Sequence, residues 1–199
     1  MAGSATLTAV PITWPAAAHW EGISHAIDAQ DPHIAAHGNR VGDYALAIAL
    51  ALSLPPETAE IIRIGACLHD VGKIAIPKIV LNKPGPLTSE EFQIVKLHPL
   101  IGRKMLEQTG AFASFLDIVE LHHECHDGSG YPYGLTNLEI PLGVRIVQVA
   151  DVYDALTSTR PYRGPLSHLE AVEILQRGSG LQWDPEIIRV FLSLVKNRV

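Results

Sequence analysis

The stretch HHECHDGSGYP, residues 122–132, gathers three imidazoles and two carboxylates into six residues and then turns through Gly128, Gly130 and Pro132. Neutral imidazole and carboxylate are ligands for Zn, Fe, Mn or Ni. An adjacent pair at a helix end can lean toward one point, because the turn that follows leaves the site open. The same residue types recur as His37, as His69-Asp70, as His98 before Pro99, and as Asp151 within QVADVYDALTS. A lone helical histidine is more often a surface or hydrogen-bonded core residue, and His19, His25 and His168 are read that way. Asp151 alone could cap a helix or pair with Arg145. His69-Asp70 differs because it follows the apolar IRIGACL, so two ionisable groups emerge from a buried helix face. Buried charge demands a partner, and a metal satisfies it.

These residues must be positioned by helices, because the chain reads as helical periodicity broken by proline and glycine, with few stretches of strand alternation and no long repeat. Asp31-Pro32 starts a first helix that carries His37 and runs to about Leu54, where Pro55-Pro56 ends it. A second helix over 57–70 ends at HDVGK, with Gly72 as its C-terminal cap. Thr88 and Glu91 have capping-box spacing and open a helix toward His98-Pro99. Further helices are predicted over about 100–108, 112–124, 142–157, 168–176 (capping box Ser167 and Glu170) and 185–197 (Asp184 as N-cap). The fold class is all-α.

A chain of 199 residues with 47% hydrophobic content supports one core. Residues 1–18 read as a linker or trimmed end, and 19–199 as the folded domain. A formal charge of −6 argues against a nucleic-acid polymer or an anionic membrane as partner. An anionic substrate would need cations supplied locally. Two cysteines outside any CxxC pair make no disulfide framework, so a cytoplasmic location is expected. The uncharged YALAIALALSL stops at Pro55-Pro56, short of a membrane span, and the N-terminus lacks the basic region of a secretory signal.

HDVGK (69–73), HP..G (98–102), HHE..DGSGYP (122–132) and IPLGVRIVQVADVYDALTSTRPYR (140–163) together resemble the HD-GYP family, a branch of the HD phosphohydrolases. With AIDAQDPHIAAHGNRV upstream and RGSGLQWDPEII downstream, the resemblance covers about residues 20–195. It implies a single bundle of about seven helices with a buried polynuclear metal site. It also implies hydrolysis of the bacterial messenger cyclic di-GMP, or a related cyclic dinucleotide, to linear pGpG and in some members on to GMP. By the same resemblance His37, His69 and Asp151 are ligands of a first metal, His98, His122 and His123 of a second, and Asp70 bridges them. The nucleophile would then be a hydroxide bridging two divalent metals, with Fe or Mn suiting the mixed ligands at least as well as Zn or Ni.

Lys73 matches a lysine held to contact the scissile phosphate, against the plainer reading of a solvated side chain. Tyr131 offers a ring to guanine from a loop whose glycines let backbone approach a ligand, although Asp127 and Ser129 could serve only a structural turn. Arg160 and Arg163 read as phosphate clamps, or as partners of acidic neighbours. Asp154, one turn after Asp151, binds guanine or orients a ligand. Cys125 is expected to pack rather than react.

Three positions depart from the family pattern. His33 stands where members thought to bind three metals have Glu and many others have Tyr. An imidazole cannot bridge two metals as a carboxylate can, so His33 is expected at the rim and two metals per chain are expected. Cys125-His126 replaces a basic-plus-aromatic pair, and His126 is read as stacking in place of the usual ring. Asn137 replaces a frequent glycine, and tolerates left-handed backbone well enough to keep the turn. The resemblance leaves room for a homodimer and for a sensor or receiver domain in a longer parent chain. A second reading, from a different class, is a low-turnover module that binds a cyclic dinucleotide or a protein through the GYP loop.

Overall fold

The computed structural model describes residues 32–107, 115–159 and 164–196. The expected linker over 1–18, the Asp31 cap and both Arg160 and Arg163 lie outside the described residues, as does the side chain of His33. The chain forms α1 (Pro32–Ala51), α2 (Pro56–Leu68), a 3-10 turn (Val71–Ala75), α3 (Lys78–Leu81), α4 (Ser89–Val95) and α5 (His98–Glu107). These are followed by α6 (Leu116–Leu121), a second 3-10 turn (Asn137–Glu139), α7 (Leu142–Thr157), α8 (His168–Gly178) and α9 (Pro185–Val195). Among the described residues there is no strand, only the isolated bridges Asp127–Thr136 and Ser179–Trp183. The all-α expectation is met, and no described helix is long and apolar enough to cross a membrane.

α7 is the axis of the bundle. Its residues Val144, Ile146, Val147, Val149 and Ala150 are buried, so it is covered on nearly every side. α1, α8 and α9 pack on it, and α1 also lies along α2. Fully buried aliphatic side chains such as Ile48, Leu68, Val119 and Ile146 stabilise this arrangement by roughly 1.5–3 kcal/mol each.

Local signals set most of the helix ends. The Thr88–Glu91 and Ser167–Glu170 capping boxes form with both reciprocal bonds, and the Asp184 side chain accepts from the Glu186 and Ile187 amides. Asn137 takes φ 42°, the left-handed backbone expected of it.

Gly72 is a correction. It caps nothing, lies within the first 3-10 turn, and is not among the positive-φ residues. A Cβ there would meet the His98 carbonyl oxygen at 2.0 Å, so glycine is needed for the close approach of this turn to α5. Glycine acts likewise between α1 and α2, where a Cβ on Gly38 would lie 2.4 Å from the Cys67 carbonyl oxygen. The two contacts bring His37 and His98 toward His69-Asp70 from opposite sides.

Candidate metal centre

Three of the imidazoles are placed by helix ends. The carbonyls of a helix's last turn have no intrahelical partner. His69, at the C-terminus of α2, sets its Nδ1 2.6 Å from the Ala66 carbonyl oxygen. His122, at the C-terminus of α6, sets Nδ1 2.9 Å from that of Val119, and His98 sets Nδ1 2.7 Å from that of Val95, the last residue of α4. Since a carbonyl only accepts, each Nδ1 carries the proton and each Nε2 is left as a lone pair.

His37 lies inside α1, where the carbonyls are already used by the helix. Its Nδ1 instead meets Asp154 Oδ2 at 2.7 Å, and Asp154 is in turn held by Arg40, whose Nε lies 2.6 Å from Oδ1. Asp151, one turn earlier on α7, comes within 3.1 Å of His37 Nε2. His37 is therefore clasped by two carboxylates of one helix.

All these groups converge on Asp70, whose two oxygens face different sides. Oδ2 lies 3.4 Å from His69 Nε2 and 3.8 Å from His37 Nε2. Oδ1 lies 3.2 Å from His98 Nε2 and 3.8 Å from His122 Nε2. His98 Nε2 and His122 Nε2 are 3.2 Å apart. Donor atoms of Asp70, His98, His122 and His123 form one convergent group, those of His37, His69 and Asp70 another, and Asp70 belongs to both. Lone pairs face lone pairs here, and both Asp70 Oδ1 and His69 Nε2 are buried with no hydrogen-bond partner. That arrangement is costly unless a cation sits among the acceptors. The residues fit a divalent-metal site.

Electrostatics separates the two groups. Burial alone would depress the His37 imidazole, but hydrogen bonds to Asp151 and Asp154 outweigh it and raise its pKa to about 9. Burial pushes the other way for His122 and His123, whose neighbours are largely imidazoles; His122 falls well below the usual histidine range and His123 to about 4. Both are neutral and ready to ligate at neutral pH. Burial would raise the Asp70 carboxyl, yet the Lys73 ammonium holds it well below the usual carboxylate range. Asp151 is held low, against burial, by its hydrogen bond with His37.

The remaining expected residues take the following places. Lys73, in the 3-10 turn, puts Nζ 2.6 Å from Asp70 Oδ2. The Tyr131 ring stacks on His123 with centroids 4.7 Å apart. Asp154 is 1% exposed and engaged with His37 and Arg40. Arg145 pairs with Asp184 rather than Asp151. His126 bonds through its backbone to Gln182 and Asn137, while its buried Nδ1 has no hydrogen-bond partner. Burial raises the Cys125 thiol pKa, which suits a packing role.

Two residues were missed. Arg40 follows His37 by three positions on the same helical face, and a cation beside a candidate ligand was the available signal. Glu124, 2% exposed, accepts the Tyr133 and Leu135 amides at 2.7 and 2.9 Å and so ties down the GYP loop. Its place between HH and a glycine turn gave no sign of which groups it would bind.

Comparison with known proteins identifies the family of the chain. The family model described as HD domain matches residues 21–187. A cyclic di-GMP phosphodiesterase of Vibrio cholerae is 41% identical over 187 residues, covering 86% of this chain and 38% of that protein. A cyclic di-GMP phosphodiesterase of Thermotoga maritima is 43% identical over 162 residues, covering 80% of this chain and 44% of that protein. The chain thus spans less than half the length of either relative. Among solved structures, the HDG"Y"P protein Bd1817 from Bdellovibrio bacteriovorus superposes with a TM-score of 0.69 at 23% identity, covering 82% of this chain and 53% of that one, a likeness of fold alone.

Proposed function

The chain belongs to the HD domain family, in its HD-GYP branch, and from that premise we propose that it is a metal-dependent phosphodiesterase hydrolysing cyclic di-GMP to linear pGpG. The observation that carries this is Asp70, a buried carboxylate whose two oxygens face two separate sets of imidazole lone pairs. We propose that His37, His69 and Asp151 would hold one divalent ion and His98, His122 and His123 the other, with Asp70 common to both. A mixed imidazole and carboxylate set favours Fe or Mn, with two ions per chain and His33 at the rim. When bound, such a pair supplies Lewis-acid charge to a phosphodiester and makes a bound water acidic enough to attack it.

The protein's own residues do the rest. Lys73 holds a proton at Nζ beside Asp70, where it can stabilise charge developing on a phosphoryl oxygen and on the departing ribose oxygen. Asp154 fixes the His37 ring by accepting from Nδ1, and Arg40 keeps that carboxylate in place. Tyr131 forms a wall of the substrate cleft, with Arg160 and Arg163 as phosphate clamps. A second cut at the remaining diester of pGpG would give GMP. We place the activity in the cytoplasm, as a homodimer or as one part of a longer chain with a sensor or receiver domain.

The test is chromatography of products after incubating cyclic di-GMP with protein loaded with Fe(II) or Mn(II) under reducing conditions. Linear pGpG is the expected product, and a further GMP peak would report the second cut. Binding without any linear product would overturn the enzyme and leave a cyclic-dinucleotide binding module.

A further inference from the structure

Cyclic dinucleotides carry two phosphodiesters, and only one can sit at the cut. The other brings a second negative charge to a protein whose net charge is −6, so a further cation beside the clamps assigned to Arg160 and Arg163 would favour its binding. Around the centre, the described cations Arg40 and Lys73 are already committed to Asp154 and Asp70.

Lys96 is different. It has no carboxylate partner among the described residues, and its Nζ lies over two rings, 4.8 Å from the Tyr131 centroid and 5.1 Å from that of Phe92. A ring face holds an ammonium by its quadrupole without cancelling its charge, whereas a carboxylate would neutralise it. Lys96 is therefore fixed in position while keeping its full positive charge.

Its distance from the centre is also fixed. Val95, on one side, gives its carbonyl to His98 Nδ1, and His98 follows two residues later. Tyr131, the ring under Lys96, stacks directly on His123. The ammonium thus stands one aromatic ring away from the metal cluster, and separate from Lys73, which lies on the Oδ2 side of Asp70.

We propose that Lys96 binds the phosphate that is not being cut, and so selects cyclic dinucleotides over substrates with a single phosphodiester. This rests on the reading of the chain as a cyclic-dinucleotide hydrolase. An ammonium–phosphate contact formed at a partly dry rim is a charge-assisted hydrogen bond.

The experiment is calorimetric binding of the hydrolysis-resistant bis-phosphorothioate of cyclic di-GMP to metal-loaded wild type, Lys96→Met and Lys96→Arg, at several ionic strengths, with metal content measured on each preparation. The expected result is binding about tenfold weaker in Lys96→Met, with a shallower salt dependence and both properties restored in Lys96→Arg. Unchanged affinity would overturn the proposal. So would weaker binding with an unchanged salt dependence, or loss of metal from both variants, since each makes the role one of packing. Failure of the wild type itself to bind would overturn the functional reading together with this inference.

Discussion

The two sides of Asp70 are built on different principles. On the Oδ1 side, His98 and His122 orient themselves on carbonyls three residues back, using what any helix end leaves over. On the Oδ2 side, His69 does the same but His37 cannot, and takes its orientation from a carboxylate 117 residues away. On one side each ring is oriented locally and the ligands are imidazoles. The other is assembled across α1 and α7 and is rich in carboxylates, with Asp151 and Asp154 both on His37. The difference teaches that a ligand inside a helix needs an imported partner, and that the partner's charge then sets the character of that side.

Removing the shared carboxylate should abolish the comparison altogether. Asp70→Ala takes a donor from both sides at once, and we expect metal content measured by mass spectrometry to fall to near zero, with hydrolysis lost. Normal metal content in that variant would break the assignment of Asp70 as the common ligand.

Lys73→Ala comes next. Its ammonium touches Asp70 only through Oδ2, and it donates no lone pair to a metal while charged. Metal content should stay near that of the wild type while kcat falls by about 10²–10³. If metal content dropped in proportion to kcat, Lys73 would be holding the Oδ2 side together rather than acting on phosphate.

Asp154→Asn sharpens the comparison most directly, because it alters one side only. The amide is a weaker acceptor than the carboxylate that, after Asp151, helps raise His37 to about 9, and Arg40 loses its ion-pair partner. Affinity for one ion per chain should weaken by about 10–100-fold, while the ion on the imidazole side is retained. Metal titration followed by dialysis reads this as half-occupancy. Equal weakening of both ions would show that the two sides do not act separately.

The same contrast explains what was legible in the sequence. The adjacent pair His122-His123 before a glycine turn, and His69-Asp70 after an apolar helix, announce themselves because their helix-end positions are local. His37 and Asp151 were assigned to one particular metal only through the family resemblance, since periodicity does not tell which distant helix will face them. Arg40 escaped notice because its partner lies 114 residues away. Gly72 was read as a cap because glycine after a helix signals either left-handed backbone or close approach, and only the carbonyl of His98 decides between them. Capping boxes, by contrast, are complete within four residues, and both predicted ones form as read.

The smallest effect should come from outside the centre. α9 is tied to α7 by the ion pair of Asp184 with Arg145, while the Asp184 side chain also caps α9. α7 carries Asp151 and Asp154, so this tie supports the long-range side, and Gln148 of the same helix donates to the Glu124 carbonyl next to His123. Burial would raise the Asp184 carboxyl, but the hydrogen bonds from Arg145 and from two backbone amides leave it below its ordinary value. A carboxyl depressed on folding stabilises fully above its unfolded pKa and loses that contribution as pH falls through the folded value. Asp184→Asn keeps the cap and removes the charge, so it should cost about 1–2 kcal/mol near neutral pH, or roughly 2–8 °C in Tm. Thermal melts of wild type and variant should converge only as pH falls through the folded-state pKa, which lies below the ordinary aspartate value, where the wild-type carboxyl is protonated as well. A gap that persisted at low pH would mean that Asp184 acts through shape and hydrogen bonding, not charge.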